Sequence, residues 1–317
     1  MTTNHPQAGS KHVVLGAGPA GRATAQYLQR QGHHVILASR SGAGAEIEGV
    51  ERAKVDASNA SALTTLVDGA EAMYNCMNPS SYTQWASQWP PIHEALMQAA
   101  QTTGAVFVTL SNLYMYGPLG QQSAITPGTA ENPQDFKGAL RGQMDREILE
   151  GHADGKLRAV IVRASDFIGP EVGANGHATR NITAISKGKR AWVLGSANQP
   201  HSWTAIDDVA ATLATVAQRP DTHGRVWFVP TNPPVTQQEL ATASAQALHA
   251  PTPKIAELPR RAMKVLGLAS PMVRELMTVS YQFTGPWVLD SSETSNALGI
   301  QPTDWDVVVR QSAFENC

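Results

Sequence analysis

Three glycines at fixed spacing constrain this chain more than any other feature. Residues 11–28 read KHVVLGAGPAGRATAQYL. His12 to Leu15 is a short apolar run that predicts a strand. Arg22 to Gly32 predicts a helix with Ala23, Tyr27 and Leu28 on its inner face. Between them stand Gly16, Gly18 and Gly21 at GxGxxG spacing. The first permits a tight turn out of a strand, the second lets backbone approach a pyrophosphate, and the third lets the helix lie against a sheet. Free N–H groups and the helix dipole then attract phosphate, so Gly16, Gly18, Pro19, Ala20, Gly21 and Arg22 are expected to form a dinucleotide phosphate turn. The spelling alone is a weak signal, and its place between strand and helix gives it weight.

The next strand, His34 to Ala38, ends in Ser39-Arg40-Ser41. An NAD site usually carries Asp or Glu here for the ribose 2′-hydroxyl. Arg40 instead matches a 2′-phosphate in charge and shape, with Ser39 adding a hydroxyl and Arg22 close by. NADP(H) is therefore the expected cofactor, with NAD(H) as the alternative.

Further strands are expected at Glu51–Val55, Ala70–Asn75, Ala105–Leu110, Leu157–Arg163 and Arg225–Val229. Helices are expected from the Ser58/Asn59 cap to Val67, from Phe136 to His152, and between them one with Trp85 and Trp89 early in it, as packing residues, that continues over Ile92–Thr103. This alternation predicts an α/β, Rossmann-type doubly wound parallel sheet with a smaller C-terminal substrate lobe. Residues 1–168 form the nucleotide domain, 206–230 return to it, and 169–317 are mainly lobe. In the lobe, Asp207 or Asp208 is expected to cap a helix, Gln237–Leu248, Arg260–Gly267 and Met272–Tyr281 to be helical, and Ser292 to start the last short helix. Asp56, at a strand end, meets the adenine or belongs to the turn. Asn75, Met77, Asn78 and Pro79 follow a central strand and are expected beside the nicotinamide ribose.

Composition sets the outer limits. The chain has 317 residues, 42% hydrophobic, with net charge −2, which gives no reason to expect nucleic acid or an anionic membrane as partner. Cys76 and Cys317 form no metal spacing or disulfide framework. The polar N-terminus lacks the apolar segment of a signal peptide, so a cytoplasmic protein acting on a small molecule is expected.

GAGPAG, SNLYMYGP, RASDFIGP and HSWTAIDDVA together resemble the extended and atypical short-chain dehydrogenase/reductase superfamily, of the NAD(P)-dependent epimerase/dehydratase type, over nearly the whole chain. That superfamily usually uses a Tyr, a Lys four residues later, and a Ser after the fifth strand. Here the helix reads FKGALRG, with no Tyr four residues before a Lys, and Asn112 stands where the Ser would, beside Ser111. KGALR is similar to a Lys-x-x-x-Arg pattern of the isoflavone reductase-like and NmrA-like branch, which makes Lys137 the leading acid/base candidate and a ribose-orienting cofactor contact. Tyr114 competes for the proton-donor role, and Tyr116 is expected to pack. His201, Trp203 and Tyr281 are expected to line a substrate pocket.

The resemblance implies an NADPH-dependent oxidoreductase, passing hydride to or from a carbonyl, imine or activated alkene, with Ser111 or Asn112 polarising the acceptor. The alternatives are a sugar epimerase/dehydratase-like enzyme with a retained cofactor and a non-catalytic NmrA-like redox sensor. Homodimerisation through nucleotide-domain helices is a family habit.

Overall fold

The computed structural model describes residues 9–79, 81–120, 124–174 and 176–317. The first eight residues of the polar N-terminus and residues 121–123 of the loop over 120–133 lie outside them. The first half of the chain runs β1 (Lys11–Leu15), α1 (Pro19–Arg30), β2 (His34–Ser39), β3 (Val50–Lys54), α2 (Ala60–Val67), β4 (Ala72–Asn75), α3 (Trp85–Thr103), β5 (Val106–Ser111), α4 (Phe136–Ala153) and β6 (Ala159–Arg163). There follow β7 (Asp166–Ile168), α5 (Ile182–Ser186), β8 (Ala191–Val193), β9 (Trp203–Ala205), α6 (Ile206–Gln218) and β10 (Val226–Phe228). The chain ends with α7 (Gln237–Ala247), β11 (Ile255–Glu257), α8 (Arg260–Ala269), α9 (Pro271–Thr278), α10 (Ser292–Leu298) and α11 (Trp305–Glu315).

Seven strands form one sheet in the order β10-β6-β5-β4-β1-β2-β3. Every pairing in it is parallel, so all seven carboxyl ends share an edge. The chain winds outward from β1 to β3, then restarts at β4 on the other side of β1. The crevice of a doubly wound sheet opens at such a switch point. The period of two explains the layers. Val14, Tyr74, Val108 and Val162 face α1 and α6, where Leu28, Val209 and Leu213 cover them. Val13, Leu15, Met73, Phe107 and Ile161 face the other way, onto Leu63, Leu96 and Ile148. The Rossmann-type α/β architecture expected from the alternation is the one observed.

The lobe departs from expectation in detail. Neither Asp207 nor Asp208 caps α6: Ala205 is the cap residue and has no side-chain cap bond, while both acids lie in the first turn. Buried Asp208 accepts instead from the Thr303 backbone at 3.0 Å and its hydroxyl at 2.6 Å, tying α6 to the segment before α11. The helix from Ser292 is not the last, because α11 follows, capped by the Asp304 carboxylate. Its valine run lowers helix propensity, yet Val308, Val309, Ser312 and Ala313 recur at helical spacing and are buried. α1 starts three residues before Arg22, since Pro19 suits a first helical position. α9 ends at Thr278, and Ser280–Phe283 close into a 3₁₀ turn. Two three-residue pairings, β7 with β9 and β8 with β11, stitch the lobe together. No helix among the described residues is long and apolar enough to cross a membrane.

Candidate active site

The turn after β1 carries the backbone geometry a diphosphate requires. Gly16 has φ +104°, and a Cβ there would stand 2.9 Å from the Cys76 carbonyl oxygen. A Cβ on Gly21 would stand 1.8 Å from the Gly16 carbonyl oxygen, so only glycine lets α1 approach β1 this closely. Gly18, at the helix cap, would meet nothing within 4 Å, which leaves its flank open. α1 has no side-chain cap and no acid in its first turn. The Ala20 and Gly21 amides precede the first intrahelical bond, Arg22 N–H to the Gly18 carbonyl at 2.9 Å, and so have no acceptor in the helix. An open cradle, free amides and no carboxylate fit a dinucleotide diphosphate.

Arg22 lies in that first turn, and its guanidinium is occupied. Nε and Nη2 donate to Glu171 at 2.5 and 3.1 Å, and Nη1 donates to the Ala45 carbonyl at 2.7 Å. At the end of β2, Ser39 Oγ accepts from Gly42 N–H at 3.1 Å. Arg40 is exposed there. Asp56, opposite, accepts from the Ser58 N–H and hydroxyl; these bonds and the Arg40 charge hold its carboxyl below the usual range. Arg40 and Asp56 thus face the same end of the crevice, and Arg22 is bound elsewhere.

After β4, Asn75 is buried and spans its turn, donating to Thr109 Oγ1 at 3.0 Å and accepting from Met77 N–H at 3.2 Å. Asn78 is exposed and Met77 half-buried. Met77 connects the two halves of the site, since its side chain reaches the Gly16 turn and also packs against the Trp85, Trp89, Leu140 and Met144 cluster.

The polar end of β5 divides into two groups. Ser111 is buried and donates to Asp145 at 3.0 Å, whose other oxygen accepts from Arg163 Nε at 2.9 Å. Arg163 also donates to the Tyr116 hydroxyl at 2.7 Å; burial opposes its charge, but Asp145 and Tyr116 raise its pKa above the ordinary value. Ser111 therefore belongs to a closed ionic network beneath the site. Asn112 accepts from Tyr114 N–H at 3.0 Å and shapes the turn that presents Tyr114.

Tyr114 is the centre of the second group. Its hydroxyl pairs with that of Tyr82 at 2.9 Å, and its ring stacks on Trp85 at 6.2 Å. Burial pushes both phenols up, Tyr114 well above the ordinary value, which keeps them protonated donors. Tyr281 donates to the Tyr114 carbonyl at 3.2 Å. Lys137 is 3% exposed, and its Nζ donates to Glu275 and Thr278 of α9, each at 2.7 Å, while lying 5.4 Å from the centre of the Tyr82 ring. Asp135, the α4 cap residue, is 3.5 Å from the same ammonium. One turn on, buried Arg141 donates to the Leu110 carbonyl at 2.8 Å and lies over Trp89 at 4.8 Å. Burial lowers its pKa, and its Nε has no partner among the described residues. Lys137 and Arg141 are thus both buried, four residues apart on α4.

His201 and Trp203, expected to line a substrate pocket, are both buried and pack together with Phe283 in the lobe. His201 lies 2.8 Å from Asp166 and 3.2 Å from the Gln282 carbonyl through its two ring nitrogens. Burial works against the Asp166 charge, but the His201 bond prevails and lowers its pKa. Trp203 donates to the Val235 carbonyl at 3.1 Å inside the lobe core.

Tyr82, Asp166 and Glu275 had no role on sequence grounds, and Arg141 entered only as the arginine of the KGALR pattern. Tyr82 follows a crevice strand, Arg141 stands four residues after Lys137, and Asp166 follows β6, so each had a local signal. Glu275 had none, because it reaches Lys137 across 138 residues of chain.

A model of the NAD dependent epimerase/dehydratase family matches residues 12–229. No curated protein sequence matches the chain significantly. Among solved structures, an epimerase from Methanothermobacter thermautotrophicus is similar with TM-score 0.80 at 14% identity, covering 97% of this chain and 92% of that one. dTDP-glucose 4,6-dehydratase from Bacillus anthracis in complex with NAD gives 0.78 at 14%, covering 96% of each chain. UDP-glucose 4-epimerase from Thermotoga maritima with UDP-glucose gives 0.77 at 12%, covering 96% and 98%. At these identities the likeness is one of fold.

Proposed function

The chain belongs to the NAD-dependent epimerase/dehydratase family, and from that premise we propose that it oxidises and re-reduces a hydroxyl-bearing carbon of a small, sugar-like substrate. The reading rests above all on buried Lys137 and Arg141, which stand on α4 at the four-residue spacing of the superfamily's Tyr and Lys. The bound dinucleotide supplies hydride acceptance and return. Lys137 Nζ, held by Glu275 and Thr278, carries the proton at the substrate oxygen. Of the protonated Tyr82 and Tyr114 pair, one hydroxyl donates to the other, which leaves one O–H to donate to the same region. Arg141 adds a fixed positive charge one turn behind, and Arg40 gives the adenosine end a preference for NADP(H).

The family match favours this retained-cofactor chemistry over the net NADPH-dependent reduction expected from the sequence. Net reduction stands as the second reading, favoured by the exposed Arg40 and by the absence of a Tyr four residues before a Lys on α4. The two separate in one assay. Purified protein is incubated with NADP(H) or NAD(H) and either sugar nucleotides or carbonyl and enone compounds, and product and absorbance are followed together. Isomerised or dehydrated product without net cofactor consumption supports the proposal, and Lys137→Met is expected to slow it about a hundredfold. Stoichiometric NADPH consumption carries the second reading instead. Dinucleotide binding without turnover makes the chain a sensor.

A further inference from the structure

The Arg22–Glu171 pair joins parts of the crevice that the sequence sets far apart. Arg22 belongs to the first turn of α1, beside the amides that fit the diphosphate. Ala45, whose carbonyl takes Nη1, belongs to the loop that leaves β2 just past Arg40. Glu171, which takes Nε and Nη2 in a two-pronged contact, belongs to the loop after β7. One guanidinium therefore ties the loop at the adenosine end, the phosphate turn and the loop beyond Asp166.

A second, independent observation shows that Glu171 is held in place. Its φ is +58°, a left-handed conformation that costs energy for any residue other than glycine. Its loop is pinned on both sides by a single side chain from beyond α11. Asn316 donates to the Gly169 carbonyl at 3.0 Å and accepts from Gly173 N–H at 2.7 Å. The carboxylate is carried by a strained residue in a braced loop and presented to an arginine whose side chain is only 13% exposed.

We infer that Arg22 and Glu171 form a clasp across the dinucleotide crevice, and that this clasp sets how slowly a bound dinucleotide leaves. A dinucleotide lying between the free α1 amides and Arg40 departs only when the loops joined by the clasp part. Contacts from Nε, Nη1 and Nη2 fix the Arg22 guanidinium between Ala45 and Glu171, so its role is retention, and discrimination at the adenosine end falls to exposed Arg40. The inference rests on the proposed retained-cofactor chemistry, in which one dinucleotide serves many turnovers. A net reductase, by contrast, must exchange its cofactor every cycle.

The test is dissociation of NADPH and NADH from the full chain, measured by stopped-flow fluorescence with excess unlabelled competitor. Glu171→Gln keeps the side-chain size and removes the charge. It is expected to raise the dissociation rate about fivefold, the scale of one well-formed ion pair, with association and melting temperature little changed. Raising salt from about 0.05 to 0.5 M should speed dissociation from the wild type more than from the variant, because screening of the dinucleotide's own charges is common to both. Equal dissociation rates in the two proteins overturn the clasp alone. Failure of the wild type to bind either dinucleotide overturns the proposed function, and the clasp with it.

Discussion

What a charged residue does here depends on what already holds it, and two arginines show this. Arg22 and Arg40 were both within reach of a 2′-phosphate on sequence grounds. In the fold, Arg22 has Nε, Nη1 and Nη2 engaged, whereas Arg40 is exposed beside Asp56. Arg40→Ser should therefore weaken NADPH binding about tenfold or more, the worth of a charge-assisted contact, and leave NADH binding within about twofold. Calorimetry with both dinucleotides measures this, and an unchanged ratio would remove the role given to Arg40. Arg40 was legible because it follows the glycines at a set distance along adjacent strands. The partner of Arg22 was not, since Glu171 lies 149 residues away in sequence. Lys137 repeats the lesson: its position was readable from KGALR, and its dependence on Glu275 was not.

Among the elements, α3 shows how packing carries a helix through a local break. The sequence places Trp85 and Trp89 early in this helix, and α3 does begin at Trp85 and passes through both Pro90 and Pro91. Their missing N–H groups would have bonded to the carbonyls of Ala86 and Ser87, which lie on an exposed stretch where water can satisfy them. The buried side of the same turns holds Trp85 and Trp89, four residues apart and both fully enclosed against Leu140 and Met144 of α4. Tertiary packing thus overrides the local break. Trp89→Ala should cost about 3–5 kcal/mol, because it opens a cavity between α3 and α4 and removes the ring beneath Arg141. Urea unfolding monitored by far-UV circular dichroism checks the magnitude, and a loss below about 1 kcal/mol would mean that α3 does not brace the site. Most sheet strands were legible because each is an apolar run closed by a turn, whereas the edge strand β3 reads VERAK and is only partly buried. Pairings of three residues such as β7 with β9 carry too little pattern to be seen without their partners.

At the scale of the whole molecule, the shared carboxyl edge of the sheet carries the candidate chemistry and the amino edge carries an acid-sensitive relay. Gln218 Nε2 donates to His33 Nε2 at 3.3 Å, which leaves His33 Nδ1 to donate to Ser10 Oγ at 3.1 Å. Ser10 Oγ then donates to His12 Nε2 at 3.0 Å, and His12 Nδ1 donates to the Tyr74 hydroxyl at 3.0 Å. The chain closes only with both rings neutral. Burial, helped by nearby His33, lowers the His12 pKa to about 3, and burial lowers that of His33. The ordinary value lies near 6.5, so below it the unfolded chain takes up a proton that the folded chain refuses. Stability therefore rises with pH between about 3 and 6.5 and is lost as the solution is acidified through that window. At pH 5, His12 alone should cost about 2 kcal/mol relative to neutral pH, at roughly 1.4 kcal/mol per unit. β1 carries His12 at one end and leads into the glycine turn at the other, so protonation in the relay works against the strand that precedes the candidate phosphate turn. Urea unfolding at pH 7 and pH 5 should show this loss in the wild type. In His12→Gln, which keeps a donor and an acceptor in the relay, the difference should shrink by nearly one proton's worth. Equal slopes in the two proteins would move the origin of acid sensitivity away from this edge of the sheet.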